Sequence, residues 1–299
     1  MKTSTRFHGV ASVRAVTALL AAFAIASQAL NGGAQTVTLA PGDNSSVQVN
    51  TTGPGAGVVN WTVDGQNILD PAANGAQWFY YSFGGGTPTG IQNFGAAVSS
   101  GITNLSPDSQ TFGTTYTSGS QSLQAVYQLN GSPVGSGISD LQLHFQYANT
   151  TGSQQIFHFF QYVYFTVGAN PTASLYTINP GSGPLIFLGQ VQGSGFLANE
   201  YVDATLTPGA PEGTINPALL SVATLTSTPG FTLPGAADAT GPGSAWMLQW
   251  NATLNPGDSF TINKDIQVTG APEPAASSLL FLGLAAFGAF RFLRRRSAA

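Results

Sequence analysis

The chain has 299 residues with 37 Gly, 18 Pro, no Cys and 7% charged residues, against roughly 25% in an average soluble domain. Within residues 35–270 a single base, Lys264, stands against eleven acidic residues. Nucleic acid as a partner is therefore excluded, as is docking on an anionic lipid surface, and the lack of Cys excludes a disulfide framework and thiolate metal sites.

The chain opens "MKTSTRFHGVASVRAVTALLAAFAIASQALNGGAQ". Lys2, Arg6 and Arg14 make a basic start, and residues 16–26 form an uncharged apolar run too short to span a bilayer as a helix. Ser27-Gln28-Ala29 and Gly32-Gly33-Ala34 then offer small-x-Ala cleavage sites. Residues 1–34 thus read as a secretory signal helix handled by the general secretion machinery, since no Arg-Arg pair precedes the run. Cleavage is expected between Ala34 and Gln35, because "QTVTLAPG" begins a strand at once.

Residues 35–270 read as strands and turns. The strand candidates are "GVVNWTV", "QWFYYSF", "SLQAVYQLN", "DLQLHFQYA", "QQIFHFFQYVYFTV", "ASLYTI", "LIFLGQVQ", "SAWMLQWNATL" and "DSFTINKDIQV". In "DLQLHFQYA" Leu141, Leu143, Phe145 and Tyr147 alternate with Gln142, His144 and Gln146, the pattern of a half-buried antiparallel strand. The polar "NTTGS" that follows has hairpin length, and "QQIFHFFQYVYFTV" is apolar on both faces, as for a central strand covered on both sides. "LAPGDNSSVQV" and "LNPGDSFTINKDIQV" share Leu-x-Pro-Gly-Asp before a strand, a common turn rather than a repeat. One short helix is expected at "NPALLSVATL", with Asn216 as N-cap and Pro217 at the first helical position. The predicted fold is all-β, an antiparallel β-sandwich built as one large sandwich or two.

The tail carries no charge over residues 275–290, and Arg291, Arg294, Arg295 and Arg296 follow. Such a run makes a helix of roughly 24 Å, nearer to a bilayer core if Arg291 snorkels. The arginines hold its end in the cytoplasm, so a transmembrane helix is expected with the body outside. Pro272-Glu273-Pro274 cannot start a regular helix and favours an extended segment beside the membrane. Pro-Glu-Pro, apolar helix and arginine cluster together resemble the PEP-CTERM sorting signal, over residues 271–299. The resemblance implies processing by exosortase, a transpeptidase-like membrane enzyme. Pro272, Glu273 and Pro274 would be its recognition motif, and Arg291, Arg294, Arg295 and Arg296 the membrane stop. It also implies a bacterium that makes exopolysaccharide and biofilm, and display of the body at the cell surface or release from it. "GSGISDLQL…FHFFQYVYF" and "GPGSAWMLQWNATLNPGDSFTINKD" resemble stretches of PEP-CTERM surface proteins, which implies a common β-rich domain and no activity.

No catalytic constellation emerges from residue types alone. His144 and His158 sit on predicted strands and meet on one face if "NTTGS" closes a hairpin, yet two His without a carboxylate make no metal site. Glycoside hydrolysis needs two facing carboxylates, and the candidates are Asp140, Glu200, Asp203 and Glu212. Gly-rich turns are not followed by helices, which excludes phosphate loops, and no Asp-x-Asp-x-Asp loop offers a calcium site. Trp61, Trp78 and Tyr80 are candidates for sugar stacking, Trp78 and Tyr80 on one strand face with Phe79 and Tyr81 on the other. The expectation is a non-enzymatic structural or interaction protein without cofactor or metal, linked to exopolysaccharide. A carbohydrate-binding module is the alternative, and a hydrolase the third reading.

Overall fold

The computed structural model describes residues 30–31, 35–42, 44–53, 55–73, 75–167, 172–178, 186–193, 196–203, 212–214, 222–231, 239–242 and 245–270. Its strands, in chain order, begin with β1 (Leu30–Asn31), β2 (Thr36–Leu39), β3 (Ser45–Asn50), β4 (Gly57–Val63), β5 (Gln66–Leu69), β6 (Ala76–Phe83) and β7 (Thr89–Gly90). There follow β8 (Ala96–Ser99), β9 (Thr103–Ser106), β10 (Ser109–Ser118), β11 (Gln121–Asn130), β12 (Ile138–Ala148) and β13 (Gln155–Tyr164). The last are β14 (Thr172–Ile178), β15 (Ile186–Gly193), β16 (Phe196–Asp203), β17 (Glu212–Thr214), β18 (Ala239–Pro242), β19 (Ala245–Leu254) and β20 (Ser259–Gly270). Among the described residues a short helix, α1 (Val222–Ser227), lies between β17 and β18.

Two antiparallel sheets result. Eleven strands run in the order β1-β8-β10-β11-β12-β20-β16-β15-β14-β18, with β9 on β10. Nine run in the order β17-β19-β13-β6-β4-β3-β2, with β5 on β4 and β7 on β6. The period-2 pattern of the sequence explains what lies between them: on β12, Leu141, Leu143, Phe145 and Tyr147 are buried in one core with Phe79, Phe157 and Phe159 of the other sheet. Ring pairs bridge the layers, Phe79 with Phe145 and Tyr147 with Phe157 both at 4.3 Å between centroids. β13 is a central strand, covered along its inward face and, on its outward face, around Phe160, while Ile156 is exposed. Phe157, Phe159 and Val163 enter the shared core, and Phe160 enters a smaller outer cluster with Tyr80, Leu225, Phe231 and Met247.

The expected hairpin through "NTTGS" is corrected. β12 pairs with β11 and β20, whereas β13 pairs with β6 and β19 in the other sheet. The connection crosses between layers, because Tyr147 and Phe157 bury more of their rings opposed across the core than side by side in one sheet. A second crossing, from β19 to β20, runs beside it. Asn149 ties the two: its backbone N donates to Asp258 O at 2.9 Å, its carbonyl accepts from Gly257 N at 2.8 Å, and its side chain donates to Leu254 O at 2.9 Å. The two Leu-x-Pro-Gly-Asp turns share a left-handed glycine, Gly42 (φ 61°) and Gly257 (φ 87°). The first joins neighbouring strands β2 and β3, while the second joins the two sheets.

Helix α1 (Val222–Ser227) overlaps the C-terminal part of the expected helix, and Asn216 and Pro217 lie outside the described residues. Also outside them are Ala34, Pro272, Glu273, Pro274, Arg291, Arg294, Arg295 and Arg296, together with the apolar run 275–290. Gln35 is described, its backbone N donating to Thr52 Oγ1 at 3.1 Å. Among the described residues no helix is long and apolar enough to cross a membrane.

Candidate functional site

The outward face of the nine-stranded sheet carries the site, and strand register builds it. Across β6, β13 and β19, three rows share that face: Ser82–His158–Asn251, Tyr80–Phe160–Gln249 and Trp78–Tyr162–Met247. Trp78 and Tyr162 are half-buried and stack with centroids 5.9 Å apart at 29°. Behind Trp78 the chain comes close at Gly55 (φ 83°), where a Cβ would lie 2.6 Å from the indole Nε1. Tyr80 is buried under Leu225 of α1 and Phe231. Its phenol is pushed well above the ordinary range, by burial first and then by Tyr162, and burial likewise raises Tyr162. Both phenols therefore stay protonated, as neutral hydrogen-bonding groups.

A polar group lies further along the same face, beyond Tyr80 and Phe160. His158 Nδ1 lies 2.5 Å from Asn251 Oδ1, which also accepts from Gln249 Nε2 at 2.6 Å. With that carbonyl as acceptor, the neutral imidazole carries its proton on Nδ1 and keeps a lone pair on Nε2. On β17, Glu212 pairs in register with Gln249.

The sequence candidates are distributed unevenly over this arrangement. Trp78 and Tyr80 share the outward face as expected, but Trp61 is fully buried in the inner core and offers no platform. The two histidines are not brought together: His144 sits in the eleven-stranded sheet, 2.6 Å from Asn263 Oδ1, where burial lowers its pKa. Of the four carboxylates, Asp140 lies on β12 and receives amide hydrogens from Asn130 (3.1 Å) and Gln142 (3.0 Å). Asp203 pairs in register with Asn263. Glu200 is fully buried between the sheets, away from any cleft.

Glu200 instead centres an interior polar cluster. Gln161 Nε2 donates to both its oxygens, at 2.8 and 2.9 Å, Gln77 Nε2 to Oε1 at 3.2 Å and Trp246 Nε1 to Oε2 at 2.5 Å. Lys264 forms an ion pair with Glu200 Oε1 and also reaches Gln161 Oε1. Burial pushes the ammonium down to about 8, against the opposing pull of Glu200. The signal for this cluster was in the sequence: in "SFTINKDIQV" Lys264 shares the parity of Phe260, Ile262, Ile266 and Val268, all buried. Among the described residues no group of three or more His, Asp or Glu is placed to hold a metal ion.

No protein-family model matches the chain, and no curated protein matches it. Among solved structures it is similar to a candidate aldose 1-epimerase from Escherichia coli K12 (TM-score 0.48, 11% identity, covering 80% of this chain and 100% of that one). A galactose mutarotase-like protein from Lactobacillus casei gives a TM-score of 0.42 at 9% identity, covering 78% and 100%. A candidate aldose 1-epimerase from Klebsiella pneumoniae gives 0.44 at 13% identity, covering 86% and 85%. These neighbours correct the expectation of a non-catalytic surface protein, with its binding-module alternative, and the expectation that the chain is no enzyme. The likeness, at such identities and scores, assigns this chain no reaction of its own.

Proposed function

We propose that this protein is exported and processes saccharides on the outward face of its nine-stranded sheet. The observation that carries the reading is the half-buried Trp78–Tyr162 stack on the same sheet face as His158, Asn251 and Gln249, with Gln249 one row and His158 two rows along the strands from it. A pyranose lays its apolar face on aromatic rings and its hydroxyls on amides and imidazole. His158 Nε2 then accepts a proton from a sugar hydroxyl and returns it, the Nδ1 proton being held by Asn251. Export rests on the signal-like start and on the tail, where Pro272-Glu273-Pro274 resembles the exosortase motif. In this reading the general secretion machinery and exosortase are the processing partners. The membrane holds the tail before its removal, and exopolysaccharide is the source of substrate.

The test is incubation of the purified protein with free pyranoses and with exopolysaccharide fragments, following anomer ratios and new reducing ends by proton NMR and binding by tryptophan fluorescence. Trp78→Ala is expected to lose binding. His158→Gln is expected to bind but to turn over about 10²-fold more slowly, the scale of a lost proton-transfer group. Undiminished turnover in His158→Gln, or no response to any saccharide, overturns the reading.

A further inference from the structure

The interior cluster brings together the three groups that an amide exchange requires. Lys264 is a primary amine buried beyond the reach of water, with the Phe79 ring 5.3 Å from its nitrogen. Gln161, also fully buried, presents its side-chain carboxamide to that amine through Oε1. Glu200 touches both reacting nitrogens, pairing with Lys264 Nζ and accepting from Gln161 Nε2 at 2.8 and 2.9 Å. Two further donors, Trp246 Nε1 and Gln77 Nε2, hold the carboxylate in place. A bare ion pair would need neither a carboxamide bonded through its oxygen to the amine nor a carboxylate bonded to that carboxamide's nitrogen.

We propose that Lys264 and Gln161 join in an intramolecular isopeptide bond, with Glu200 as the proton carrier. Glu200 takes a proton from the Lys264 ammonium, and the freed Nζ lone pair attacks Cδ of Gln161. The C–N bond forms as the carbonyl pair moves to Oε1. Glu200 gives that first proton to the original amide nitrogen and takes a second from the attacking nitrogen; the carbonyl is restored, and ammonia departs as ammonium with the second proton, returning Glu200 to its carboxylate. One amide and one amine become one amide and one ammonia, and no oxidant or cofactor is consumed. Burial favours the neutral, nucleophilic amine, and the fixed geometry replaces a bimolecular encounter. Gln77 is the less suited electrophile: its amide nitrogen reaches Glu200, but its Oε1 has no hydrogen-bond partner and does not meet the amine. The bond joins β13 to β20 and therefore one sheet to the other, a covalent tie in a chain without cysteine.

Mass spectrometry of the purified, denatured protein decides the matter. The intact mass is expected to fall short of the sequence mass by one ammonia, and digestion is expected to yield a branched peptide joining the segments around Gln161 and Lys264. Lys264→Arg, which keeps the charge but lacks the amine, and Glu200→Gln are both expected to regain the full mass. A wild-type protein of full sequence mass with a free Lys264 overturns the proposal, whether or not the variants fold. Loss of one water with a Glu200–Lys264 linkage overturns it equally.

Discussion

Lys264 and Glu200 are the charged pair with no access to water between the sheets. Taking both out of solvent costs several kcal/mol, recovered only because Gln77, Gln161 and Trp246 complete the hydrogen bonding of the carboxylate. Removing one partner strands the other. Lys264→Met, which removes both the ion pair and the proposed bond to Gln161, is expected to lower stability by about 3–5 kcal/mol or more, measured as a shift of the urea unfolding midpoint; an unchanged midpoint would show that neither stabilises the fold. Phe159, fully buried and packed on Phe145 at 5.1 Å and Trp250 at 6.0 Å, offers a comparison without charge. Phe159→Ala is expected to cost about 3–5 kcal/mol through the cavity it leaves.

Strand pairing has consequences that single residues do not. On the outer face of the eleven-stranded sheet, β12 and β20 set Asp140 beside Asp265, with Gln267 donating to Asp265 Oδ2 at 3.2 Å. Asp265 is pushed up to about 8, by burial first and then by the hydrogen bond and charge of Asp140. From β16, Tyr201 faces the same carboxyl and is itself raised, by burial first and then by Asp265. Between the ordinary aspartate value of 3.8 and about 8 the folded chain binds more protons here than the unfolded chain. The contribution of this group is thus complete below the lower value and is lost as pH rises through the upper one. Chemical denaturation across pH 4–8 is expected to show that decline, and Asp265→Asn to flatten it; a parallel decline in the variant would exclude Asp265 as its source. On the other sheet, Gly57 (φ 142°) lets β4 approach β6 so closely that a Cβ would lie 2.1 Å from Gln77 O. Gly57 pairs with Trp78, so Gly57→Ala is expected to part the strands, lower the melting temperature and abolish any fluorescence response to saccharide. Retention of both would show that the approach is dispensable.

At the scale of the whole molecule the proposed history of the chain leaves marks at its ends. Mass spectrometry of protein recovered from the cell exterior is expected to find a start at Gln35 and an end within residues 272–274, and an intact Ala299 would count against processing. The start also bears on the fold: β1 pairs with β8 through Leu30–Ser99 and Asn31–Val98, so a chain that begins at Gln35 leaves that edge of the eleven-stranded sheet open. Much of the molecule was legible from local pattern. "GVVNWTV" is β4, "SLQAVYQLN" lies within β11, and the alternation of Leu141, Leu143, Phe145 and Tyr147 named the buried face of β12 before any partner was known. The site was legible only as far as Trp78 and Tyr80 on one strand face; Tyr162, His158, Gln249 and Asn251 entered by pairing alone.

Side-chain alternation is a property of neighbouring residues, and by itself it settled many of the strands and the buried face of β12, while β8 and β10 escaped it. Which strands lie together was decided by the tertiary structure, because closing a longer loop costs only slightly more entropy than closing a short one, so local pattern admits many pairings. Gln161 meets Glu200 across 39 positions and Lys264 across 103, and β12 and β13 separate into different sheets across a short polar turn, since opposed aromatic faces bury more surface than adjacent ones.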